Sequence, residues 1–410
     1  MSYKFQKFTT VYPGYTEQFL ADNPDYRSLS YQQLYERFVG SHYGWANYYA
    51  RSLNALGCEA QDMIADVEPL QKAWARERGV AFGQDNWRHD IVLAQVKSFR
   101  PDVIFLQDLY SFDASFRQQL REAGRRDVLM IGWQAAPIKD YRVLKDLDLV
   151  LTCAPHFVDY MRQSGINAVL FLHAFEPSVL AALPSKLTRD LDFTFIGSFV
   201  LQQGFHNDRY ALVRYLMQST PLHVWGQVYE ASVSSRRTRL LSKAAAVAGK
   251  LTGLGSLRSR LQSKVDPGPR VFPEEVSSGD SGGPNHQSRF HDPVFGLRYY
   301  EILARSKLTF NSHIDCAEQY AGNMRLFEAT GAGACLLTDR KSNLAELFEP
   351  DVELVTYGSA EECAEKANYL LDHAEQRVAI AAAGQRRVLR DHTFEQRAIY
   401  LDDLIQRALR

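Results

Sequence analysis

Short apolar runs recur along the chain, spaced so that one helix fits between each pair. In the first half they are Asp102–Leu106 (DVIFL), Val128–Ile131 (VLMI), Leu147–Leu151 (LDLVL) and Ala168–Leu172 (AVLFL). Each has the length of a strand and is mostly apolar at successive positions, as a parallel strand covered on both faces requires. The amphipathic stretches Ser111–Glu122 and Pro155–Ser164 predict helices between them, and Trp45–Leu56 reads as a helix stopped by Gly57. The alternation pauses over Pro177–Ser185 and then restarts. Strands are predicted at Leu191–Ile196, Leu222–Trp225, Lys307–Asn311, Ala334–Thr338 and Glu353–Tyr357. Helices are predicted at Arg209–Gln218, Gly296–Ala304, Met324–Thr330, Ala360–His373 and Glu375–Arg390. Strand–helix alternation of this kind specifies an α/β protein with doubly wound sheets.

At 410 residues the chain exceeds the roughly 250–300 at which a single core stops growing, so two domains are expected. The boundary falls within His173–Ser185, giving domains at 1–180 and 181–395. The amphipathic segment 396–410 can pack on either. A formal net charge of −1 gives no overall attraction to nucleic acid or membrane. The five cysteines are scattered and form no CxxC pair, which argues against a disulfide framework or a structural zinc site and favours a cytoplasmic setting. The N-terminus has no apolar core of a signal peptide, and no run approaches the ~18–20 apolar residues that span a bilayer.

One stretch interrupts the pattern, an insertion at about 235–290. Arg236–Lys264 carries eight basic residues, no acidic one, and interleaved leucines; Asp266–Ser288, rich in Pro, Gly and Ser, reads as a loop. The basic segment suits peripheral contact with anionic lipid or a lipid-diphosphate acceptor at the inner face of a membrane. The alternative is a solvated helical hairpin.

Leu308–Asp339 (LTFNSHIDCAEQYAGNMRLFEATGAGACLLTD) is the segment richest in chemistry. A strand ends at Asn311, a loop carries His313 and Asp315, and a helix begins at Asn323. Asn323 is a good N-cap, its side chain able to accept from the first free amides. A helix N-terminus at the carboxyl ends of parallel strands favours phosphate. Arg325 adds a cation in the first turn, and Glu328 lies three residues on, on the same face, where it can accept both hydroxyls of a ribose. Gly331 and Gly333 let the helix end and the backbone pass closely. The plainer alternative is a surface Arg325–Glu328 pair followed by a glycine cap.

These residues resemble the donor domain of group 1 glycosyltransferases, in the CgeB-like branch, which carries an N-x-R-x-x-E-A-x-x-x-G pattern. Here that is Asn323, Arg325, Glu328, Ala329 and Gly333. The similarity extends over about 290–400 and is weaker over Asp190–Trp225, where Gly197-Ser198 follows a strand and Arg209 lies on the next helix. It implies a GT-B architecture: two Rossmann-like domains facing across a cleft, acceptor in the first and nucleotide-sugar donor in the second. By the same resemblance Glu328 binds ribose, Asn323 and Arg325 lie near the phosphates, and Gly197 and Ser198 approach the donor sugar or diphosphate. Many retaining relatives have a glutamate eight residues before the ribose-binding one; position 320 here is Tyr320, and the nearest acid is Glu318. The retaining assignment is therefore open.

The implied reaction is transfer of a sugar from a nucleotide diphosphate, with UDP or GDP as the expected carrier, to a glycan or lipid-linked acceptor in surface polysaccharide assembly. No metal or other cofactor and no nucleic acid are expected. The departing phosphate needs neutralising charge, for which Arg325, His313, Arg209 and the Asn323 helix are candidates, with Asn311 and Gly333 beside them. An inverting enzyme also needs a base, and Asp108, His42 and His173 are the candidates. Each has a structural alternative, as a cap or as linker. Trp133 and Gln134, after another strand, can line the acceptor cleft. Other readings are a non-catalytic sugar-nucleotide or polysaccharide-binding coat protein and a GT-B-fold nucleotide-sugar epimerase. The chain has no GxGxxG after a predicted strand and no P-loop, which disfavours a dehydrogenase or a kinase.

Overall fold

The computed structural model describes residues 2–201, 206–230 and 289–410. The basic stretch Arg236–Lys264 and the segment Asp266–Ser288 lie outside the described residues. The first sheet holds β1 (Lys4–Thr9), β2 (Glu59–Ile64), β3 (Val103–Leu106), β4 (Leu129–Trp133), β5 (Leu149–Thr152) and β6 (Ala168–Leu170). Its strands are parallel, in the order β2-β1-β3-β4-β5-β6. The strands β3 to β6 fall within two residues of their predicted positions. The pattern passed over β1 and β2, because KFQKFT and EAQDMI carry polar residues where a two-face-buried strand should be apolar.

The reason is charge compensation. Lys7 of β1 lies opposite Asp62 of β2 in the ladder. Their side chains are fully buried and form a 2.7 Å ion pair, and Asp62 also accepts from the Ala50 amide at 3.1 Å. Burial pushes the Asp62 carboxyl up, and the Lys7 ammonium opposes that shift. The outer edge of β2 is also closed. The Asn54 amide pairs with both backbone groups of Ala60, at 2.8 and 2.9 Å, and Tyr35 Oη donates to the Asp62 carbonyl at 2.8 Å. An edge satisfied in this way offers no template for another strand.

Successive residues of each strand feed opposite faces of this sheet. Phe8, Ile104, Met130 and Val150 pack into one apolar layer. Phe5, Phe105, Ile131 and Leu151 pack into the other, which the C-terminal helix Phe394–Ala408 closes with Phe394, Ala398, Leu401 and Ile405. The terminal segment therefore docks on the first sheet. Its entry is fixed by a capping box between Thr393 and Gln396. Beside it the chain crosses back: the Phe175 amide donates to the His392 carbonyl at 2.9 Å, and the Phe394 amide to the Phe175 carbonyl at 3.0 Å. The predicted Trp45–Leu56 helix begins later, at Tyr48, because Gly44 and Ala46 adopt positive φ.

The second sheet also has six strands, in the order β11-β9-β7-β12-β13-β14. They are β7 (Leu191–Ile196), β9 (Leu222–Trp225), β11 (Phe290–His291), β12 (Ser306–Asn311), β13 (Cys335–Asp339) and β14 (Val355–Tyr357). A separate pair joins β8 (Phe199–Leu201) to β10 (Val228–Glu230). By their contacts the residues form two compact units, Met1–Phe193 with Phe295–Arg410, and Thr194–Val294. Within the smaller unit, a Cβ on Gly226 would lie 2.0 Å from the Gly197 carbonyl oxygen, so the two loops pass closely only because position 226 is glycine. The helix Asn207–Ser219 ends with two carbonyls, those of Met217 and Thr220, accepting from the Arg289 guanidinium.

The Lys7–Asp62 pair yields a stability prediction. Lys7→Met leaves a buried carboxylate without its cation and is expected to cost about 3–5 kcal/mol in urea unfolding. The double variant Lys7→Met/Asp62→Leu should recover most of that loss. A single variant within about 1 kcal/mol of wild type would show that the pair is not required.

Candidate functional site

The site grows from the carboxyl end of β12. The Asn311 side-chain amide donates to Thr338 Oγ1 of β13 at 3.0 Å, and its backbone carbonyl accepts from Tyr357 Oη of β14 at 2.6 Å. It also pairs reciprocally with Asn323: Asn323 Nδ2 to Asn311 Oδ1 is 2.6 Å, and Asn311 Nδ2 to Asn323 Oδ1 is 3.3 Å. One buried amide thus ties three strand ends to the start of the following helix.

That helix runs from Met324 to Gly331, with Asn323 in extended N-cap geometry. The expected side-chain cap is not made. The Asn323 amide is engaged by Asn311, so the first turn of the helix receives no cap from it. Gly331 remains helical, and a Cβ there would meet the Phe175 ring at 2.3 Å. Gly333, at φ +79°, makes the turn into β13.

Glu328 is not part of an exposed pair. Its residue is only 7% exposed, and burial pushes its carboxyl up, against the Arg325 charge and two phenol donors. Tyr299 Oη donates to Glu328 Oε2 at 2.6 Å, and Tyr300 Oη to Oε1 at 3.4 Å. Both tyrosines come from the helix Gly296–Arg305. Arg325 donates through Nη1 to the same Tyr299 hydroxyl and lies over the Tyr299 ring, 4.7 Å from its centroid. Burial raises both phenols well above the usual tyrosine range, so they stay protonated donors. The spacing of Arg325 and Glu328 was legible. The two tyrosines were not, although Tyr299 and Tyr300 stand just inside a predicted helix.

His313 lies past the end of β12 with its side chain almost fully buried. Its Nδ1 is 2.6 Å from Asp339 Oδ1, and its backbone amide donates to the same oxygen at 3.1 Å. Lys341 Nζ stands 3.3 Å from the other carboxylate oxygen. Burial acts to raise Asp339, but His313 and Lys341 outweigh it and hold the carboxyl at about 2. His313 Nε2 is buried without a hydrogen-bond partner among the described residues.

The acceptor-side candidates separate on geometry. Asp108 follows β3, and both of its oxygens are engaged: Oδ1 accepts from the Tyr110 and Ser111 amides at 2.9 and 3.1 Å, and Oδ2 from Thr10 Oγ1 at 2.8 Å. It braces its own loop; the cap of the next helix is Asp113. His42, at φ +58°, places Nδ1 3.0 Å from Tyr48 Oη, and burial lowers its pKa. Burial raises the Tyr48 phenol well above the usual tyrosine range, and the Glu176 and Glu328 carboxylates add to that against Arg51. Glu176 is buried in a 2.6 Å ion pair with Arg51.

His173 is buried edge-on between Trp45 and Trp133, at centroid distances of 5.7 and 5.0 Å. Burial, with Arg397 nearby, takes its pKa down to about 3, so it is neutral at ordinary pH. Trp133 also meets Trp45 edge to face at 4.9 Å. The Gln134 side chain donates to the Ala136 carbonyl at 2.6 Å within its own loop. Gly197, Ser198 and Arg209 belong to the smaller unit: Gly197 donates to the Trp225 carbonyl at 2.9 Å, and Arg209 lies in the first turn of its helix. Among the described residues no three His, Cys, Asp or Glu side chains gather to hold a metal ion, and no helix is long and apolar enough to cross a membrane.

Comparison with known proteins adds to this geometry. Residues 209–403 match a family model described as glycosyl transferase-like. No curated protein sequence matches the chain. The fold is that of GT-B glycosyltransferase structures. A crystal structure of Anabaena HepE with UDP and glucose aligns at TM-score 0.55 and 11% identity, covering 98% of this chain and 99% of that one. A glycosyltransferase from Rickettsia africae aligns at 0.52 and 9% identity, over 100% and 99% of the two chains. Sucrose-phosphate synthase from Thermosynechococcus elongatus aligns at 0.51 and 11% identity, over 99% of both.

The His313–Asp339 pair has a measurable signature. The folded Asp339 pKa, about 2, lies below the ordinary 3.8. Its contribution is therefore complete above about pH 5 and is lost as pH falls through the folded value, amounting to about 2 kcal/mol. Unfolding free energies measured between about pH 5 and pH 2 should fall less steeply in Asp339→Asn by that amount. Equal slopes in the two proteins would refute the pairing.

Proposed function

We propose that this protein is a glycosyltransferase that moves a sugar from a nucleoside diphosphate to a glycan or lipid-linked acceptor. The observation that carries the reading is Glu328. A carboxylate is buried beside the N-terminus of a helix at the carboxyl ends of parallel strands, with an arginine in the first turn. Its position, between phenol donors and one turn from the helix start, suits a ribose whose two hydroxyls share the carboxylate with those donors, since its two oxygens offer about four acceptor sites. The amides of that first turn, not capped by Asn323, together with Arg325, suit a diphosphate. The family match over 209–403 and the fold shared with a protein crystallised with UDP and glucose support the same assignment.

The chemistry asks for charge at the leaving phosphate and, for inversion, a base at the acceptor. Arg325 and the helix supply the first. For the second, His42 is favoured over Asp108, whose oxygens are both engaged in bracing a loop. His42 is half-buried, is held below the usual histidine range by burial, and stands 3.0 Å from Tyr48 Oη. Its neutral ring is the form that accepts a proton. His173 is a poorer base, since a pKa near 3 leaves little driving force for taking a proton. No metal is required by this scheme, UDP and GDP are the expected carriers, and surface polysaccharide assembly at the inner face of the membrane is the expected setting.

Glu328→Ala tests the reading. Removing an acceptor for two hydroxyls should weaken nucleoside-diphosphate binding at least about 100-fold, since hydrogen bonds to a charged group contribute about 1.5–3 kcal/mol each. Calorimetry with UDP, GDP, CDP and TDP measures it, with the thermal transition followed in parallel. Undiminished affinity in a folded variant would remove Glu328 from the donor site.

A further inference from the structure

We infer that Tyr299 is a positioning residue of this site: its hydroxyl stands between Arg325 and Glu328 and keeps each directed at a different part of a nucleoside diphosphate. The inference rests on the donor-site reading above and explains how two opposite charges so close together are held apart.

Arg325 and Glu328 are three residues apart on one short helix. Opposite charges at that spacing are neighbours on the helix surface and tend to pair directly. Direct pairing would spend the arginine on the carboxylate rather than on phosphate, and the carboxylate on the arginine rather than on ribose. Tyr299 supplies an intermediate. A phenol has one proton to give and lone pairs to accept with. Here it donates to Glu328 Oε2 at 2.6 Å and accepts from Arg325 Nη1. The same ring lies beneath the guanidinium, 4.7 Å from its centroid, so that ring and hydroxyl both bear on the direction of Arg325. Phenylalanine keeps the ring and loses both hydrogen bonds.

Tyr300 does a lesser version of this. It reaches only Oε1, at 3.4 Å, and its ring is placed edge-on to Phe175 at 6.1 Å. Tyr299 also comes from a different helix, Gly296–Arg305, than the charges it separates. It therefore registers that helix against the charged turn. The position is buried enough that its phenol stays protonated, as a donor to a carboxylate must be.

The test is a double-mutant cycle read as the Kd of UDP and GDP by calorimetry, with thermal unfolding alongside. Tyr299→Phe is expected to weaken binding about 10-fold without lowering the thermal transition appreciably, the loss of a charge-assisted hydrogen-bond pair. Arg325→Gln weakens binding by itself. In that background Tyr299→Phe should cost less than it does in the wild type, because one of the two residues it positions is gone. Tyr300→Phe should weaken binding less than Tyr299→Phe does. Three results would overturn the inference: an unchanged Kd in a folded Tyr299→Phe, losses that simply multiply in the double variant, or a Tyr299→Phe chain that does not fold, which would make the hydroxyl a requirement of the core. A wild-type protein that binds neither nucleotide fails at the donor-site reading itself, a failure visible before any variant is made, and the inference falls with it.

Discussion

A carboxylate taken out of water must be compensated by donors and charge, or it will not stay ionised. Glu328 is that group here. It is held by two phenols and the neighbourhood of one guanidinium, and these come from two helices. The short helix Met324–Gly331 must then sit against Gly296–Arg305 closely enough for the phenols to reach. Gly331 permits the same helix to lie on Phe175, where any side chain would collide. The arrangement around the crossing chain at Phe175 and His392 is therefore tied to the needs of one buried acid.

The strand ends serve the same purpose. Asn311 takes part in four hydrogen bonds that join β12, β13, β14 and the helix start. In doing so it draws the Asn323 side chain away from the cap position. The local cost is a first turn without a cap from the Asn323 side chain, the end of a helix at which an anion is favoured. His313, fixed by Asp339 at the end of the adjacent strand, adds a buried ring whose Nε2 has no partner among the described residues. A site assembled from strand ends and loop amides is the usual solution of an open α/β sheet.

Much of this was legible from pattern alone. The strands β3 to β7, β9 and β12 to β14 are mostly apolar, and periodicity reads such runs well. The neighbouring strands β1 and β2 escaped because Lys7 and Asp62 satisfy each other across the ladder, a fact that no single segment reveals. The motif Asn323-x-Arg325-x-x-Glu328 marked the start of a helix at the strand ends. Its surroundings were not marked: Tyr299 and Tyr300 reach Glu328, and Asp339 reaches His313, through tertiary packing, over sequence separations that spacing rules do not span. Asp108 shows the converse. It stands just past β3 among the base candidates, but its oxygens are engaged by local amides and by Thr10 from a neighbouring strand end, the last of which only the fold could reveal.

The central claim is that the turn from Asn323 to Glu328 receives a nucleoside diphosphate. A crystal structure of the protein grown with UDP or GDP tests it most directly. The account predicts a diphosphate at the first-turn amides beside Arg325 and ribose hydroxyls on the Glu328 carboxylate, with the Tyr299 hydroxyl still against both side chains. Nucleotide bound elsewhere, with Glu328 holding only Tyr299 and Tyr300, would contradict it.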